Sequence, residues 1–134
     1  MPKPELVNPA ALGAPRGYSN GVLLRGGAVL FVAGQIGWDS EQRLVEGGFA
    51  AQFERALENV LAVVREAGGD AECVGRLTIY VASKQEYLDA IKDVGSAYRR
   101  QMGRHYPAMA LVEVTSLLEP GARVEIEATA VIPG

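Results

Sequence analysis

Two carboxylates stand two residues apart near the end of the chain, in Val124-Glu125-Ile126-Glu127-Ala128. Val124, Ile126, Ala128 and Ala130 alternate with Arg123, Glu125, Glu127 and Thr129, and a period of two with β-branched residues marks a half-buried strand. Glu125 and Glu127 therefore share its polar face, which must meet water, a partner chain or a substrate. A carboxylate there can hold a water and take its proton, or pair with Arg76 or Arg123. Other reactive side chains are few. One cysteine, Cys73, excludes a disulfide within one chain and argues against a thiolate metal site. It reads as a small residue entering a strand. One histidine, His105, excludes a His-rich metal centre and reads as a surface residue beside Tyr106.

The elements that must position these groups follow from pattern. Tyr106 to Val131 reads as two strands joined by a short turn at Glu119-Pro120-Gly121. Residues 1–20 are rich in Pro, Gly and Asn and read as loop with room for a short edge strand. Gly21 to Leu24 and Ala28 to Ala33 flank Arg25-Gly26-Gly27, a hairpin signal. The run AVLFVAG has almost no polar residue, which predicts a strand buried on both faces. Phe49, Phe53, Leu57, Val60, Leu61 and Val64 recur at helical spacing, predicting a helix over about 49–67 stopped by Gly68-Gly69. A strand follows near Val74 to Ala82, with Leu77, Ile79 and Val81 to one side. Ser83-Lys84-Gln85-Glu86 has the form of a capping box and opens a helix over about 84–102, burying Tyr87, Ile91, Val94, Tyr98 and Met102.

These elements predict an α+β plan with both helices on one sheet face. The other face would carry Arg76, Thr78, Tyr80, Glu113, Glu125 and Glu127 mixed with Met109 and Leu111. That mixture suits contact with further copies of the chain, with pockets between subunits. A length of 134 residues predicts a single domain over 1–134. The net charge of −3, without a basic run, argues against a nucleic-acid partner. No stretch has the length and apolarity of a membrane span or the form of a signal peptide, so a cytoplasmic setting is expected.

Several stretches together resemble the Rid family, the reactive-intermediate deaminases also called YjgF-type proteins. They are Gly17-Tyr18-Ser19-Asn20-Gly21-Val22, Val32-Ala33-Gly34-Gln35-Ile36, Ala56-Leu57-Glu58-Asn59-Val60 with Ala67-Gly68-Gly69, and Tyr106-Pro107-Ala108. Val112-Glu113-Val114 and Val124-Glu125-Ile126-Glu127-Ala128 complete the pattern. The resemblance implies a chorismate-mutase-like α+β fold, one mixed sheet with two helices on one face. It also implies a homotrimer with small-molecule clefts between subunits, and hydrolysis of imines or enamines to a carbonyl compound and ammonia with no cofactor and no metal.

By the same resemblance, Glu125 matches the glutamate that holds or activates the attacking water, and Tyr18 the tyrosine lining the cleft. Ala33, Gly34, Met109, Ala110 and Leu111 fall at the substrate-binding positions, with the amides near Gly34 and Ala110 as donors. Met109 stands where active members carry an arginine that clamps the substrate carboxylate. A guanidinium suits that task through its bidentate fork, whereas methionine is apolar and flexible. Ala33 replaces a frequent serine and Leu111 a frequent cysteine. The expectation is an imine or enamine hydrolase whose substrate is not a simple 2-imino acid, with Arg16, Arg76 and Arg104 as candidate substitute cations. The alternative is a non-catalytic trimer that binds a small metabolite. A third reading, ribonuclease or translation inhibitor, follows labels given to some members and is opposed by the acidic balance.

Overall fold

A computed structural model describes residues 3–134. A short strand β1 (Glu5–Val7) pairs antiparallel with β2 (Gly21–Leu23). The main sheet has four strands: β3 (Ala28–Ile36), β4 (Val74–Val81), β5 (Ala108–Glu113) and β6 (Val124–Ile132), in the order β3-β6-β4-β5. β6 is antiparallel to both its neighbours, while β5 runs parallel to β4. Three helices, α1 (Gly48–Glu66), α2 (Lys84–Asp89) and α3 (Ile91–Met102), complete the plan.

The expected α+β fold is present, and the alternation in β6 is fully realised. Val124, Ile126, Ala128 and Ala130 are buried, and the residues between them are half-buried. The apolar stripe of α1 forms the centre of the core. Leu57, Val60, Leu61 and Val64 are inaccessible, against Leu77, Val81, Val124 and Ile126 of the sheet. Truncating a leucine such as Leu57 to alanine there costs about 2–5 kcal/mol. Gly68, at a φ of 96°, ends the helix as expected and bonds back to the Arg65 carbonyl.

Strand pairing differs from the sequence expectation in two places. The strands on either side of Glu119-Pro120-Gly121 are not neighbours: residues 114–123 cross β4, and β6 inserts between β3 and β4. Nor do β2 and β3 form a hairpin, because β2 turns back onto β1. Period-two patterns identify strands but leave their partners open, and here long-range packing chose them. Nor is β3 buried on both faces within one chain. Its outward side chains Val29 and Phe31 are 58% and 79% exposed.

The helix expected over 84–102 is broken at Ala90, whose amide bonds to the carbonyls of Glu86 and Tyr87 and ends α2. The break turns Ile91 outward, leaving it 48% exposed rather than buried. The capping box is half made. The Ser83 hydroxyl accepts from the Glu86 amide at 3.2 Å, but the Glu86 carboxylate pairs with Arg123 instead of bonding back. Glu113 supplies the other cap, accepting from the Lys84 amide at 2.8 Å. It thus closes a helix end in its own chain.

Candidate functional site

β6 places Glu125 and Glu127 on the open sheet face, opposite Tyr80 and Thr78 of β4. The start of β6 is fixed by buried Gln52 of α1. Its carboxamide donates to the Gly121 carbonyl at 3.1 Å and accepts from the Arg123 amide at 2.8 Å. The two carboxylates then differ. Glu127 accepts from the Tyr80 hydroxyl at 2.7 Å. That bond, with burial and the two nearby carboxylates, pushes the Tyr80 phenol above its ordinary range. Glu125 has no side-chain hydrogen bond and no ion pair among the described residues. Arg123, a candidate partner, is taken by Glu86.

The Glu125 carboxylate lies over a break in the β3–β6 ladder. Register shifts between Val32 and Gln35, so Ala33 and Gly34 form a bulge that is exposed. Glycine leaves room there for the Glu125 carboxylate, since a Cβ on Gly34 would lie 2.2 Å from Oε2 and push that side chain aside. Beyond the bulge, Asn59 of α1 donates to the carbonyls of Ile36 (3.0 Å) and Trp38 (2.9 Å), which anchors the Trp38 loop.

Tyr18, Met109 and Leu111 lie elsewhere, around a cavity of about 330 Å³. The segment 16–18 reaches it because Ser19 docks on the start of β5. The Ser19 amide donates to the Pro107 carbonyl (3.1 Å) and its hydroxyl to the Tyr106 carbonyl (2.5 Å). Parallel pairing of Leu77 with Met109 and of Ile79 with Leu111 puts Met109 and Leu111 on the helix side of the sheet. They are half-buried against the core, not on the open face where the sequence pattern put them. The parity of an isolated six-residue strand does not state which face is inner. Ala110, one residue on, pairs with Thr78 and is exposed. The Tyr98 and Tyr106 rings stack at 5.1 Å and form one wall of the cavity.

One chain thus carries two groups of the expected site residues. Glu125, Ala33 and Gly34 sit on β6 and edge strand β3; Tyr18, Met109 and Leu111 sit at edge strand β5, on the opposite side of the sheet. β5 is two strand spacings from β6, about 10 Å, and three from β3. Of the candidate substitute cations, Arg16 lines the cavity beside Met109, whereas Arg76 lies on the open face and Arg104 lines neither. Arg99 of α3 also lines it, a residue that sequence pattern does not single out. The available signal was Gly95, one turn earlier, since a glycine inside a helix costs about 1 kcal/mol relative to alanine. His105 is buried rather than at the surface, its Nε2 2.7 Å from the Val74 carbonyl, while its own carbonyl accepts from the Tyr98 hydroxyl. It holds the turn before β5 in place. Burial pushes the Tyr98 phenol up. No helix among the described residues is long and apolar enough to cross a membrane.

A mixed sheet covered by helices on one side and open on the other is an α+β fold, and its match to solved structures puts it in the chorismate-mutase-like class. Within that class the chain belongs to the Rid/YjgF family: residues 8–132 match the family model described as Endoribonuclease L-PSP. Human 2-iminobutanoate/2-iminopropanoate deaminase is 33% identical over 124 residues, covering 92% of this chain and 83% of that protein. Protein DfrA of Myxococcus xanthus is 36% identical, over 92% and 88%. Among solved structures, the Rid-family protein YyfB from Yersinia pestis superposes with a TM-score of 0.83 at 29% identity, over 97% and 99% of the chains. RidA from a Psychrobacter species gives 0.68 at 32% identity, over 93% and 94%.

Proposed function

We propose that this chain hydrolyses an imine or enamine other than a simple 2-imino acid, in a cleft formed where copies of the chain meet as a homotrimer. The reaction is C=N plus water to C=O plus ammonia: water oxygen adds to the carbon, its protons pass to nitrogen, and the C–N bond breaks. Glu125 holds the water and takes its first proton. Backbone amides of the Gly34 bulge and of Ala110 are the donors available to the polarised substrate. Tyr18, Met109 and Leu111 enclose the substrate's body.

The observation that carries this reading is the state of Glu125. It is the member of the carboxylate pair that has no partner among the described residues, and it lies against a backbone bulge at an open edge. The separation of the two residue groups supports an intersubunit cleft, because edge β3 of one copy and edge β5 of the next can approach where the two edges of one sheet cannot. The bare apolar side chains Val29 and Phe31 on the open face suit such an assembly. The name of the human relative supports imine chemistry, and the apolar residue at Met109 moves the substrate away from those that need an arginine there.

The test is Glu125→Gln, assayed by ammonia release from imines generated in place by an amino-acid oxidase. Turnover should fall by on the order of 10²–10⁴-fold while sedimentation stays that of the wild type. Undiminished turnover refutes the role. A second reading, a metabolite-binding protein without catalysis, is favoured by the largely apolar wall around Met109. It would show as saturable binding with no ammonia release from any imine.

A further inference from the structure

The cavity beside Met109 has a charge pattern that the missing arginine does not account for. Among the described residues its two charged lining side chains are Arg16 and Arg99 and no carboxylate lines it, in a chain of net charge −3. The two come from separate elements, Arg16 from the segment that Ser19 ties to β5 and Arg99 from α3. Neither has an ion pair or side-chain hydrogen bond among the described residues. Arg25, Arg43, Arg100 and Arg123 each pair with a glutamate, and of the other arginines without an ion pair only Arg16 and Arg99 line this cavity. Both are exposed, so they stand where the cavity opens to solvent. Gly95 also lines the cavity, and a Cβ on it would lie 3.4 Å from Nη1 of Arg99, so that guanidinium folds back along the helix over Gly95. Glycine in that position keeps the helix surface open beneath it.

The rest of the wall is aromatic and aliphatic: the Tyr98–Tyr106 stack with Ile79, Val94, Met109 and Leu111. A volume of about 330 Å³ is at the small end of ligand sites. An anion at the mouth and an apolar body inside are what this lining would hold. The geometry points to a carboxylate bearing an aryl or large branched side chain as the ligand, its anion held by Arg16 and Arg99. Met109 leaves the strand beneath the two guanidinium groups apolar, and that part of the cavity takes the ligand's side chain. This assignment rests on the reading above only in taking the cavity as the binding half of the reactive cleft.

Calorimetric titration with phenylpyruvate, the carbonyl product of an aryl imino acid, tests it without requiring turnover. Pyruvate and the neutral ketone phenylacetone are the controls. Phenylpyruvate should bind saturably and at least about tenfold tighter than either control. Arg16→Gln and Arg99→Gln should each weaken phenylpyruvate by roughly tenfold, the effect of one charge-assisted hydrogen bond, and leave phenylacetone unchanged. Equal binding of pyruvate, unchanged affinity in both variants, or no saturable binding overturns the assignment. The two proposals fail separately. Arginine-dependent binding with no imine hydrolysis removes the catalytic reading alone, and full hydrolysis by the double variant removes the rim arginines alone.

Discussion

The Glu125 carboxylate lies so close to the Gly34 backbone that a methyl group on Gly34 would fall 2.2 Å from Oε2 and 2.8 Å from the carboxyl carbon. Gly34 has no left-handed φ, so alanine there meets no backbone strain; its conflict is with the Glu125 side chain alone. Gly34→Ala should therefore act as a displacement of Glu125. Ammonia release should fall on the order of 10²-fold, the cost of misplacing a reacting group by an ångström, with the melting temperature little changed. Combined with Glu125→Gln it should add nothing further, and full additivity in the double variant would separate the two residues.

Met109→Arg tests the missing clamp. A charge-assisted hydrogen bond contributes roughly 1.5–3 kcal/mol, so an arginine reaching a substrate carboxylate should improve kcat/KM for 2-iminopropanoate by about ten- to a hundredfold. The same ammonia assay measures it. A variant that folds and binds yet gains no hydrolysis of small imino acids would favour a cleft that binds without reacting.

Phe31 tests the assembly. With most of its ring bare on the open face beside Val29, Phe31→Glu should convert the protein to single chains of 14.2 kDa, and the wild type should sediment at three times that mass. Wild-type protein that stays a single chain at micromolar concentration would end the proposal of an intersubunit cleft.

Tyr80 gives a pH prediction. Its hydrogen bond to Glu127, burial and the carboxylates beside it raise its folded-state pKa, with Arg76 opposing. A raised phenol means the neutral form is favoured in the folded state. The associated stability is complete below the ordinary tyrosine value of about 10 and is lost as pH rises through the higher folded value. Ultraviolet titration of tyrosinate should show two late-ionising residues, Tyr80 and the buried Tyr98, and Tyr80→Phe should remove one of them. Glu127→Gln, which removes the accepting charge, should bring the Tyr80 ionisation earlier. An unshifted titration in Glu127→Gln would break the link.

The elements themselves were legible, and their partners were not. The strict alternation at 124–131 and the stripe from Phe49 to Val64 state both type and inner face, because each is long enough for its period to show. The six residues from Ala108 carry no such statement. Met109 and Leu111 are apolar, but so is Val112 on the other side, and only parallel pairing with β4 decides which faces the helices. The run AVLFVAG is apolar on both faces, yet one chain covers only one of them and leaves Phe31 in water. His105 looked like a surface residue because a lone histidine after an arginine gives no hint of the Val74 carbonyl 31 positions earlier. Glu125 was singled out by resemblance, whereas the reason it is free, that Arg123 turns to Glu86, lies in the capping box that only half forms.

The strand order carries a consequence for synthesis of the protein. β3 and β4 are not paired with each other; each pairs with β6, the last of the described strands. Until residues 124–132 have left the ribosome, β3 has no ladder in the main sheet and β4 has only β5. Until then residues 28–36 and 74–81 of the nascent chain are unpaired edges toward β6, and the first of them bears Phe31. Such edges invite pairing with other chains. Closure of the sheet thus depends on one nine-residue strand, which carries both ladders and also places Glu125 over Gly34.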